Sequence, residues 1–494
     1  MKFLSTRGKS IAKNAGEAIA KGLASDGGLF VPETFPNIKA DLKDLLTKDY
    51  FERASFVIGK FLEEYDSKEL EDACKKAYSQ FEDNDAAPVV KIDDNLFILE
   101  LFHGPTLAFK DIALTLLPHL LRKGSDMSGI KEEILILVAT SGDTGKAALS
   151  GFCNKQGIKI MVFYPSDGVS DMQKLQMTTQ EGDNVNVVGV KGNFDDCQTA
   201  VKKIFSDEKF NALLKEQNVV LSSANSINFG RLVPQVAYYF SAYLDLVASN
   251  EIKLGDKVNF VVPTGNFGNI LAGYYAYRMG LPVEKFICAS NSNNVLTEFF
   301  ANGNYDKNRE FFKTASPSMD ILVSSNLERL LFELSDRDYA LTEKRMTELK
   351  NSGNYSISEK ELKKAGQNFY ADYCDEEECF EEINSFFDEY GYVLDPHTAV
   401  AECVAKKYIN YSKSKLPTII LSTASPYKFP QSVYKAIEGK NIADAFTATE
   451  KLHEISALDI PKQILELKNK KPRFTHVEDK DNLSKCVLDF IKKD

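Results

Sequence analysis

The sequence predicts an α/β protein whose core is a parallel β-sheet. From residue 130 onward, strand-length apolar runs alternate with helical patterns, which is the order of a βαβαβ unit. Strands of this kind are buried on both faces of a sheet, because the connecting helices cover both sides. Polar segments follow several of the apolar runs, as expected where a strand passes into the next helix.

The elements alternate along two stretches of the chain. In the first stretch, strands are predicted at residues 132–140, 158–165, 185–190 and 219–224. The helices between them are KAALSGFCNKQG, which ends near Gly157, then DMQKLQMTTQEG, then one helix from DDCQTAVKKIF through LLKEQ. The second stretch repeats the strand, loop and helix order over residues 257–281, and further strands follow at 285–291 and 418–426.

The regions around these stretches differ in pattern. Residues 1–88 are expected to form a first, mainly helical domain, and residues 89–494 to form the larger domain. Within the larger domain we expect a nested α/β subdomain at about 130–225. A charged, asparagine-rich and mostly helical insert is expected at about 300–390. A chain of 494 residues has room for about three domains or subdomains.

The composition excludes several classes of protein. A net charge of −11 and a pI near 5.3 oppose a nucleic-acid-binding protein. No apolar run is long enough for a membrane helix, and the first residues lack a signal-type apolar segment. The eight cysteines are dispersed without a CxxC pair, so we expect neither a metal site nor a disulfide framework. The expected location is the cytoplasm, with no nucleic-acid or membrane partner.

Polar loops follow four of the predicted strands. They lie at residues 141–145, 225–231, 264–269 and 422–425. In open α/β sheets, ligands bind beyond the carboxyl ends of the strands. The four loops therefore predict one active-site crevice.

Two of these loops suit an anion. The segment TGNFGN (264–269) places two glycines between a strand and a helix, where backbone N–H groups can approach a phosphate. The alternative is an ordinary tight turn. The segment ATSGDTGKAA (139–148) also joins a strand to a helix but does not match the P-loop pattern, since Ala147 follows the lysine. There, Asp143 is alternatively a helix cap.

The other two loops offer hydrogen-bonding side chains. The segment SSANSINFGRL (222–232) precedes a long amphipathic helix and contains Arg231, whose forked donors suit phosphate. The alternative is helix capping with a surface arginine. Ser422 and Thr423 end a buried strand, where a hydroxyl can bond a pyridine nitrogen or, alternatively, the local backbone.

A single lysine stands out in the segment LELFHGPTLAFKDIAL (99–114). Lys110 follows an apolar run containing Gly-Pro, so its amine could be held in a dry site and form a Schiff base with an aldehyde cofactor. The alternative is a solvated surface lysine. His103 and His397 are weaker candidates for the site, because a lone histidine is more often structural.

Taken in order, the motifs resemble the threonine synthase family, in the branch found in enterobacteria and fungi. The motifs are SDGGLFVPETFP (25–36), LELFHGPTLAFKD (99–111), ATSGDTGKAA (139–148), NSINFGRL (225–232), PTGNFGN (263–269), DPHTAVA (395–401) and STASP (422–426). They span nearly the whole chain. One departure is Ser425, where relatives often carry histidine after Thr-Ala.

The resemblance implies a fold-type II pyridoxal-phosphate enzyme with two open, twisted, parallel-type sheets and an N-terminal domain typical of the family. It makes Lys110 the catalytic Schiff-base lysine and turns Thr423 toward the pyridine nitrogen of pyridoxal 5'-phosphate. The implied cradle for the cofactor phosphate is Gly265, Asn266, Phe267, Gly268 and Asn269. The residues implied near the substrate's amino-acid end are Ser141, Gly142, Asp143 and Thr144. Those assigned to the substrate phosphate are Asn225, Ser226, Asn228 and Arg231.

The implied reaction is that of a carbon–oxygen lyase in threonine biosynthesis. It converts O-phospho-L-homoserine and water to L-threonine and phosphate by γ-elimination and β-addition of water. Two alternatives share the fold: an O-phosphohomoserine phospho-lyase and a serine or threonine dehydratase. A metabolite-binding protein without activity is a further alternative. The expected assembly is a monomer or a homodimer.

Overall fold

The computed structural model describes residues 1–83, 85–140, 142–166 and 169–492. The strands in chain order are β1 (Phe3–Ser5), β2 (Ile11–Ala12), β3 (Phe30–Pro32), β4 (Val89–Asp93), β5 (Leu96–Glu100), β6 (Glu133–Ala139), β7 (Ile158–Pro165), β8 (Val185–Lys191), β9 (Val219–Ser222), β10 (Val258–Pro263), β11 (Val283–Ser290), β12 (Asn304–Asp306), β13 (Asn354–Ser356), β14 (Phe369–Tyr373), β15 (Thr418–Ser422) and β16 (Val477–Asp479).

The first eleven α-helices are α1 (Ala15–Lys21), α2 (Leu42–Leu45), α3 (Tyr50–Gly59), α4 (Ser67–Tyr78), α5 (Lys110–Met127), α6 (Asp143–Phe152), α7 (Asp171–Thr178), α8 (Phe194–Ser206), α9 (Glu208–Glu216), α10 (Phe229–Ala248) and α11 (Gly268–Arg278). The remaining ones are α12 (Val295–Asn302), α13 (Leu327–Leu334), α14 (Tyr339–Asn351), α15 (Glu359–Asn368), α16 (Glu376–Tyr390), α17 (Pro396–Ser412), α18 (Pro430–Glu438), α19 (Ala445–Ser456), α20 (Lys462–Leu467) and α21 (Leu483–Ile491). None of the described helices is both long and apolar enough to span a membrane.

Two sheets with parallel strands form the framework, which confirms the predicted fold class. The larger has the order β14-β11-β10-β15-β5-β4, and only its edge strand β4 runs antiparallel to its neighbour. The smaller has the order β16-β8-β7-β6-β9 and is parallel throughout. Helix α10 is buried along most of its length beneath the larger sheet and packs on α5, α3 and α11.

The N-terminal region combines helices with a small antiparallel sheet, β2-β1-β3. The helical part of this region was predicted, but its strands are too short for a clear period of alternation. Helices α1, α3 and α4 pack against α5 and α10, so the apolar side chains of this region join the main core.

Strands β4, β12, β13, β14 and β16 also escaped the sequence prediction, and β4, β14 and β16 lie at the edges of the two larger sheets. Strand β14 extends the larger sheet from within the segment interpreted as a helical insert, and its sequence FYADY is short and partly polar. Strand β16 comes from the C-terminal region and pairs with β8, so the smaller sheet is completed by a distant part of the chain. Edge strands have one unpaired side and need little apolar sequence, which weakens their signal.

Helix boundaries differ from the prediction where local capping intervenes. The helix after β6 ends at Phe152 instead of near Gly157, because Asn154 and Gly157 adopt positive φ angles of 52° and 71° in the following turn. The single helix predicted after residue 193 is two helices, α8 and α9. The break lies at Asp207, whose backbone is extended and whose side chain accepts a hydrogen bond from Phe210 N.

Candidate active site

Lys110 lies at the start of α5, next to the end of β15. The backbone there is fixed by a bridge between Ala108 and Ala424 and by a hydrogen bond of 2.9 Å from Phe109 N to Thr423 O. Only 11% of the Lys110 side chain is exposed, so the interpretation as a surface lysine is wrong. Its amine is therefore held in a dry site between the two sheets' loops.

The Lys110 amine belongs to a compact polar cluster. It donates to Ser318 Oγ at 3.1 Å and to Asp143 Oδ2 at 3.4 Å, and Ser318 Oγ donates to the same Asp143 oxygen at 3.2 Å. Lys428 Nζ lies 2.7 Å from Asp143 Oδ1 and donates to Thr106 O at 2.8 Å. One buried carboxylate thus sits between two buried ammonium groups.

Burial and charge act together on these groups. Burial lowers the pKa of Lys110, Asp143 opposes this effect, and the positive charges of Lys428 and Arg231 add to it. Burial would raise the pKa of Asp143, but Lys428 and Lys110 outweigh burial and hold that pKa far below its usual range. The site therefore contains a carboxylate whose pKa is held low beside an amine that gives up its proton more easily than an exposed lysine.

Lys428 and Ser318 were missed by the sequence analysis. Lys428 is buried and follows the STASP segment by two residues. Its position just after a strand-end motif was the signal that the sequence offered. Ser318 gave no comparable signal, because it lies in the segment interpreted as a helical insert. Only the folded chain brings that segment to Lys110.

The loop at residues 264–269 turns tightly into α11. Phe267 precedes the helix with a φ of 61°, in the left-handed region. A Cβ atom on Gly265 would lie 2.6 Å from Ser318 O, so only glycine allows this close approach. The carbonyls of Gly265 and Asn266 accept hydrogen bonds from Ser324 Oγ at 2.7 Å and Asn326 N at 3.1 Å. Because each peptide is planar and trans, the N–H group of the following residue points away from these bonded carbonyls.

Asn269 completes this loop with a spare donor. Its Oδ1 accepts hydrogen bonds from Tyr238 Oη at 2.5 Å and Tyr239 Oη at 2.8 Å. Its Nδ2 is buried without a hydrogen-bond partner among the described residues. Backbone N–H groups at a helix N-terminus together with an unpaired amide N–H fit a bound phosphate group.

The loop before α10 divides into structural and available groups. Asn228 caps the helix through a 2.8 Å hydrogen bond from Gly230 N, and its Nδ2 donates to Ile19 O and Ser223 O, each at 3.0 Å. That side chain is thus engaged in holding the N-terminal region, as the capping alternative anticipated. Asn225 and Ser226 are half-buried beside it.

Arg231 is buried on the first turn of α10 and is only partly bonded. Its Nη1 donates to Ala224 O at 2.6 Å, while its Nε has no hydrogen-bond partner among the described residues. Burial lowers the pKa of Arg231 to about 10. The predicted arginine is therefore a buried cation with an unused donor. It lies near enough to Lys110 for its positive charge to lower the pKa of that lysine.

The loop before α6 is organised by Thr140. Its hydroxyl accepts hydrogen bonds from Gly142 N at 3.0 Å and from Gly145 N at 2.9 Å. Gly142 has a φ of 143°, and a Cβ atom there would overlap the Gln173 side chain at 2.4 Å. Thr144 is half-buried on the first helical turn, and the predicted Ser141 lies outside the described residues.

Thr423 and Ser425 follow the end of β15, in a segment whose backbone is bonded to the segment just before Lys110. Thr423 is 6% exposed at the end of β15. Ser425, the departure from the family pattern, is buried and accepts a hydrogen bond from Tyr427 N at 3.3 Å, so it caps the short turn that carries Lys428.

The two histidines take different places. His397 lies behind the site, where its Nε2 accepts a hydrogen bond from Ser318 N at 3.2 Å and its Nδ1 lies 2.7 Å from Asp395 Oδ1. It therefore supports the loop that bonds Lys110. His103 instead pairs with Glu100 at 2.7 Å.

Comparison with known families agrees with this geometry. Residues 86–350 match the family described as "Pyridoxal-phosphate dependent enzyme". Residues 2–78 match "Threonine synthase N terminus", and residues 398–487 match "Threonine synthase, C-terminal".

Three similar proteins illustrate the relationship. Human "Threonine synthase-like 1" is 46% identical over 446 residues, which are 88% of this chain and 59% of the human protein. The chain thus spans under two thirds of the length of that relative. "Threonine synthase" of Saccharomyces cerevisiae is 39% identical and covers 86% of both chains. A crystal structure of PLP-bound threonine synthase from Brucella melitensis matches with a TM-score of 0.88 at 38% identity, and the match covers 100% of both chains. The chain belongs to the threonine synthase family of pyridoxal-phosphate-dependent enzymes.

Proposed function

We propose that the protein is a threonine synthase that converts O-phospho-L-homoserine and water to L-threonine and phosphate. The observation that carries this proposal is the combination of a buried lysine, whose pKa is lowered by burial, with a buried arginine that keeps a spare donor. Lys110 suits repeated proton transfer, and Arg231 suits a phosphate ester. The family's match along the chain supports the same reaction.

The residues present fit pyridoxal phosphate. The loop from Gly265 to Asn269 would hold the cofactor phosphate, because its helix N-terminus and the unpaired Asn269 Nδ2 both offer N–H donors. Lys110 would bind the cofactor aldehyde, and the hydroxyl of Thr423 would face the pyridine nitrogen. Such a hydroxyl need not protonate the ring, which suits elimination and replacement chemistry.

The protein's own groups account for the proton transfers. When bound, pyridoxal phosphate delocalises the electron pair left on the substrate carbon after a proton is removed. Lys110 would take the α proton and pass it to the departing phosphate group, and then move a proton from Cβ to Cγ. Water then adds its hydroxyl group at Cβ, and the proton that the water releases returns to Cα. A lysine whose pKa is lowered by burial can act as base and acid in turn.

The neighbouring charges would orient this chemistry. Asp143, held between Lys110 and Lys428, keeps the lysine amine directed into the crevice. Arg231, with Asn225 and Ser226, would bind the phosphate of the substrate, while Asn228 contributes by fixing the start of α10. The loop of Ser141, Gly142, Asp143 and Thr144 would hold the substrate's amino-acid end.

The product ratio tests the proposal. Purified protein loaded with cofactor is incubated with O-phospho-L-homoserine, and phosphate, threonine, 2-oxo acid and ammonia are followed together. We expect threonine and phosphate in equal amounts. Phosphate released with a 2-oxo acid and ammonia would instead identify a phospho-lyase, and 2-oxo acid from serine or threonine a dehydratase. Loading without any turnover would favour a binding protein.

We also propose a location, an assembly and a class of partner for the protein. It is a cytoplasmic monomer or homodimer that acts on a small molecule, without nucleic-acid or membrane partners. The boundary near residue 88 and the nested subdomain at about 130–225 are part of this proposal. Closure of that subdomain over the crevice would keep water out until the addition step. Limited proteolysis with and without substrate tests the closure, since closing should protect the loops at the crevice.

A further inference from the structure

A second group of chemically reactive side chains lies at the far edge of the smaller sheet. Strand β16 pairs with β8, and α21 follows it after a short turn. His476 and Glu478 are two residues apart along the strand direction, so their side chains share one face. Cys486 lies on α21 and faces them. The side-chain ligand atoms of all three lie within 4.8 Å of one another.

The separations within this triad suit one metal ion. His476 Nε2 lies 3.9 Å from Cys486 Sγ and 3.5 Å from Glu478 Oε2. Ligand atoms on a tetrahedral zinc ion stand about 3.3–3.8 Å apart, as follows from the usual Zn–N, Zn–O and Zn–S lengths. Small rotations of the exposed His476 side chain and of the half-buried Glu478 and Cys486 side chains would be enough to reach these values.

The carboxylate of Glu478 is oriented for this role. Its Oε1 accepts hydrogen bonds from Asp479 N at 2.9 Å and from Asn482 Nδ2 at 3.1 Å. The other oxygen, Oε2, is thereby turned towards His476. Hydrogen bonds of this kind orient metal ligands and raise the affinity of metal sites.

We propose that His476, Glu478 and Cys486 form a binding site for Zn²⁺ or a similar borderline transition-metal ion. One imidazole, one thiolate and one carboxylate are a donor set that such ions prefer over Mg²⁺ or Ca²⁺. Three protein ligands leave a position for water. The ion would tie β16 to α21 and so secure the C-terminal segment that completes the smaller sheet.

A second cluster of potential metal ligands is less suitable for binding an ion. The ligand atoms of Cys374, Glu378 and Cys403 also lie within 4.8 Å of one another. There, however, the Glu378 carboxylate is already engaged by Lys407 at 2.7 Å and by Asp375 N at 3.0 Å. A metal ion would have to displace the ammonium group, which makes this cluster a useful control.

The test uses the untagged, cofactor-loaded protein after treatment with a chelator. Zn²⁺ is titrated in competition with a chromophoric chelator, and Co²⁺ is added separately to look for the thiolate-to-cobalt absorption band. We expect one Zn²⁺ per chain and a thiolate band. His476→Ala and Cys486→Ser should abolish both signals, and Asn482→Ala should weaken binding by about 10- to 100-fold.

Matched variants separate the site from its competitors. Cys403→Ser removes the second cluster and Cys153→Ala removes another partly exposed thiol, and both should bind Zn²⁺ as the parent does. Binding that survives Cys486→Ser, or is lost in Cys403→Ser, would overturn the proposal, as would a parent protein that binds no Zn²⁺. Unchanged cofactor absorbance shows that each variant is folded. Should Cys486→Ser not fold, an Asn482→Ala variant with the parent's affinity would overturn the proposal.

Discussion

The buried charges of the crevice and those between α14 and α15 are both removed from water, but they are bonded very differently. Arg345 and Glu361 form a two-fold pair, with both nitrogen–oxygen distances at 2.7 Å, and Ser358 donates to the same carboxylate. In the crevice, Arg231 Nε has no described partner and Lys110 reaches Asp143 only at 3.4 Å. Fully bonded charges hold the fold, whereas incompletely bonded ones are available for a ligand.

The pKa shifts follow the same division. Burial would raise the pKa of Glu361, but the hydrogen bonds from Arg345 and Ser358 outweigh burial and lower it. For Lys110, burial dominates and the pKa falls in spite of Asp143. A shift caused by pairing stabilises the fold, and a shift caused by incomplete pairing prepares a group to exchange its proton.

The largest effect is expected from Lys110→Ala. Removing the proposed acid–base group should lower turnover of O-phospho-L-homoserine by about 10²–10⁴-fold or more. Trapping with borohydride should no longer attach the cofactor to the protein. Lys159→Ala, which alters a buried lysine of the smaller sheet, is the control and should keep turnover. Turnover that persists in Lys110→Ala would remove Lys110 from the mechanism.

Glu361→Ala tests the fully bonded ion pair between α14 and α15. It leaves Arg345 buried and unpaired, so the free energy of unfolding should fall by about 3–5 kcal/mol. Chemical denaturation measures this loss, and kcat at a temperature where the variant is folded should stay near the parent value. If instead activity falls while stability is unchanged, the division between structural and available charges is wrong.

Glu402 gives a smaller test, which depends on pH. Its carboxylate is incompletely hydrogen-bonded, like the charges of the crevice, but it lies on α17 outside the crevice. Burial, followed by the charge of Glu382, raises the pKa of Glu402 to about 8. The folded protein then holds a proton that the unfolded chain releases near pH 4.5, so this residue's contribution to stability is present below pH 4.5 and is lost as pH rises to 8.

Glu402→Gln should remove this dependence. The free energy of unfolding of the variant, relative to that of the parent, should be larger at pH 8 than at pH 5 by about 1–3 kcal/mol. Each unit of pKa shift corresponds to about 1.4 kcal/mol. Thermal unfolding at the two pH values measures the difference. An equal effect at both values would show that Glu402 is ionised in the folded protein.

Sequence reasoning went furthest where a motif and a strand end coincide. The sequence predicted that four strand-end loops would form one crevice, because ligands in open α/β sheets bind beyond the carboxyl ends of the strands. It missed Ser318, which reaches Lys110 from a segment about 200 positions away, as no local pattern encodes such a contact. It also missed β14 and β16, whose short edge sequences depend on the neighbouring strand for their conformation.

Two residues at the start of α10, Asn228 and Arg231, have different roles. Asn228 is a cap, as its position before a helix allowed, whereas Arg231 three residues later is buried and incompletely bonded. The same motif therefore contains a structural and an available residue. Sequence spacing cannot separate them, because the difference lies in which neighbouring carbonyl groups approach each side chain.

Inhibition by inorganic phosphate tests the central claim most directly. Phosphate should compete with O-phospho-L-homoserine in the parent enzyme, and Arg231→Gln should weaken that inhibition by about 10- to 100-fold, the effect of losing a hydrogen bond to a charged group. Inhibition by L-homoserine, which lacks the phosphate, should change little, and thermal stability should stay close to the parent. Equal inhibition by phosphate in parent and variant would contradict the account, because the unused donor of Arg231 would then serve no anion.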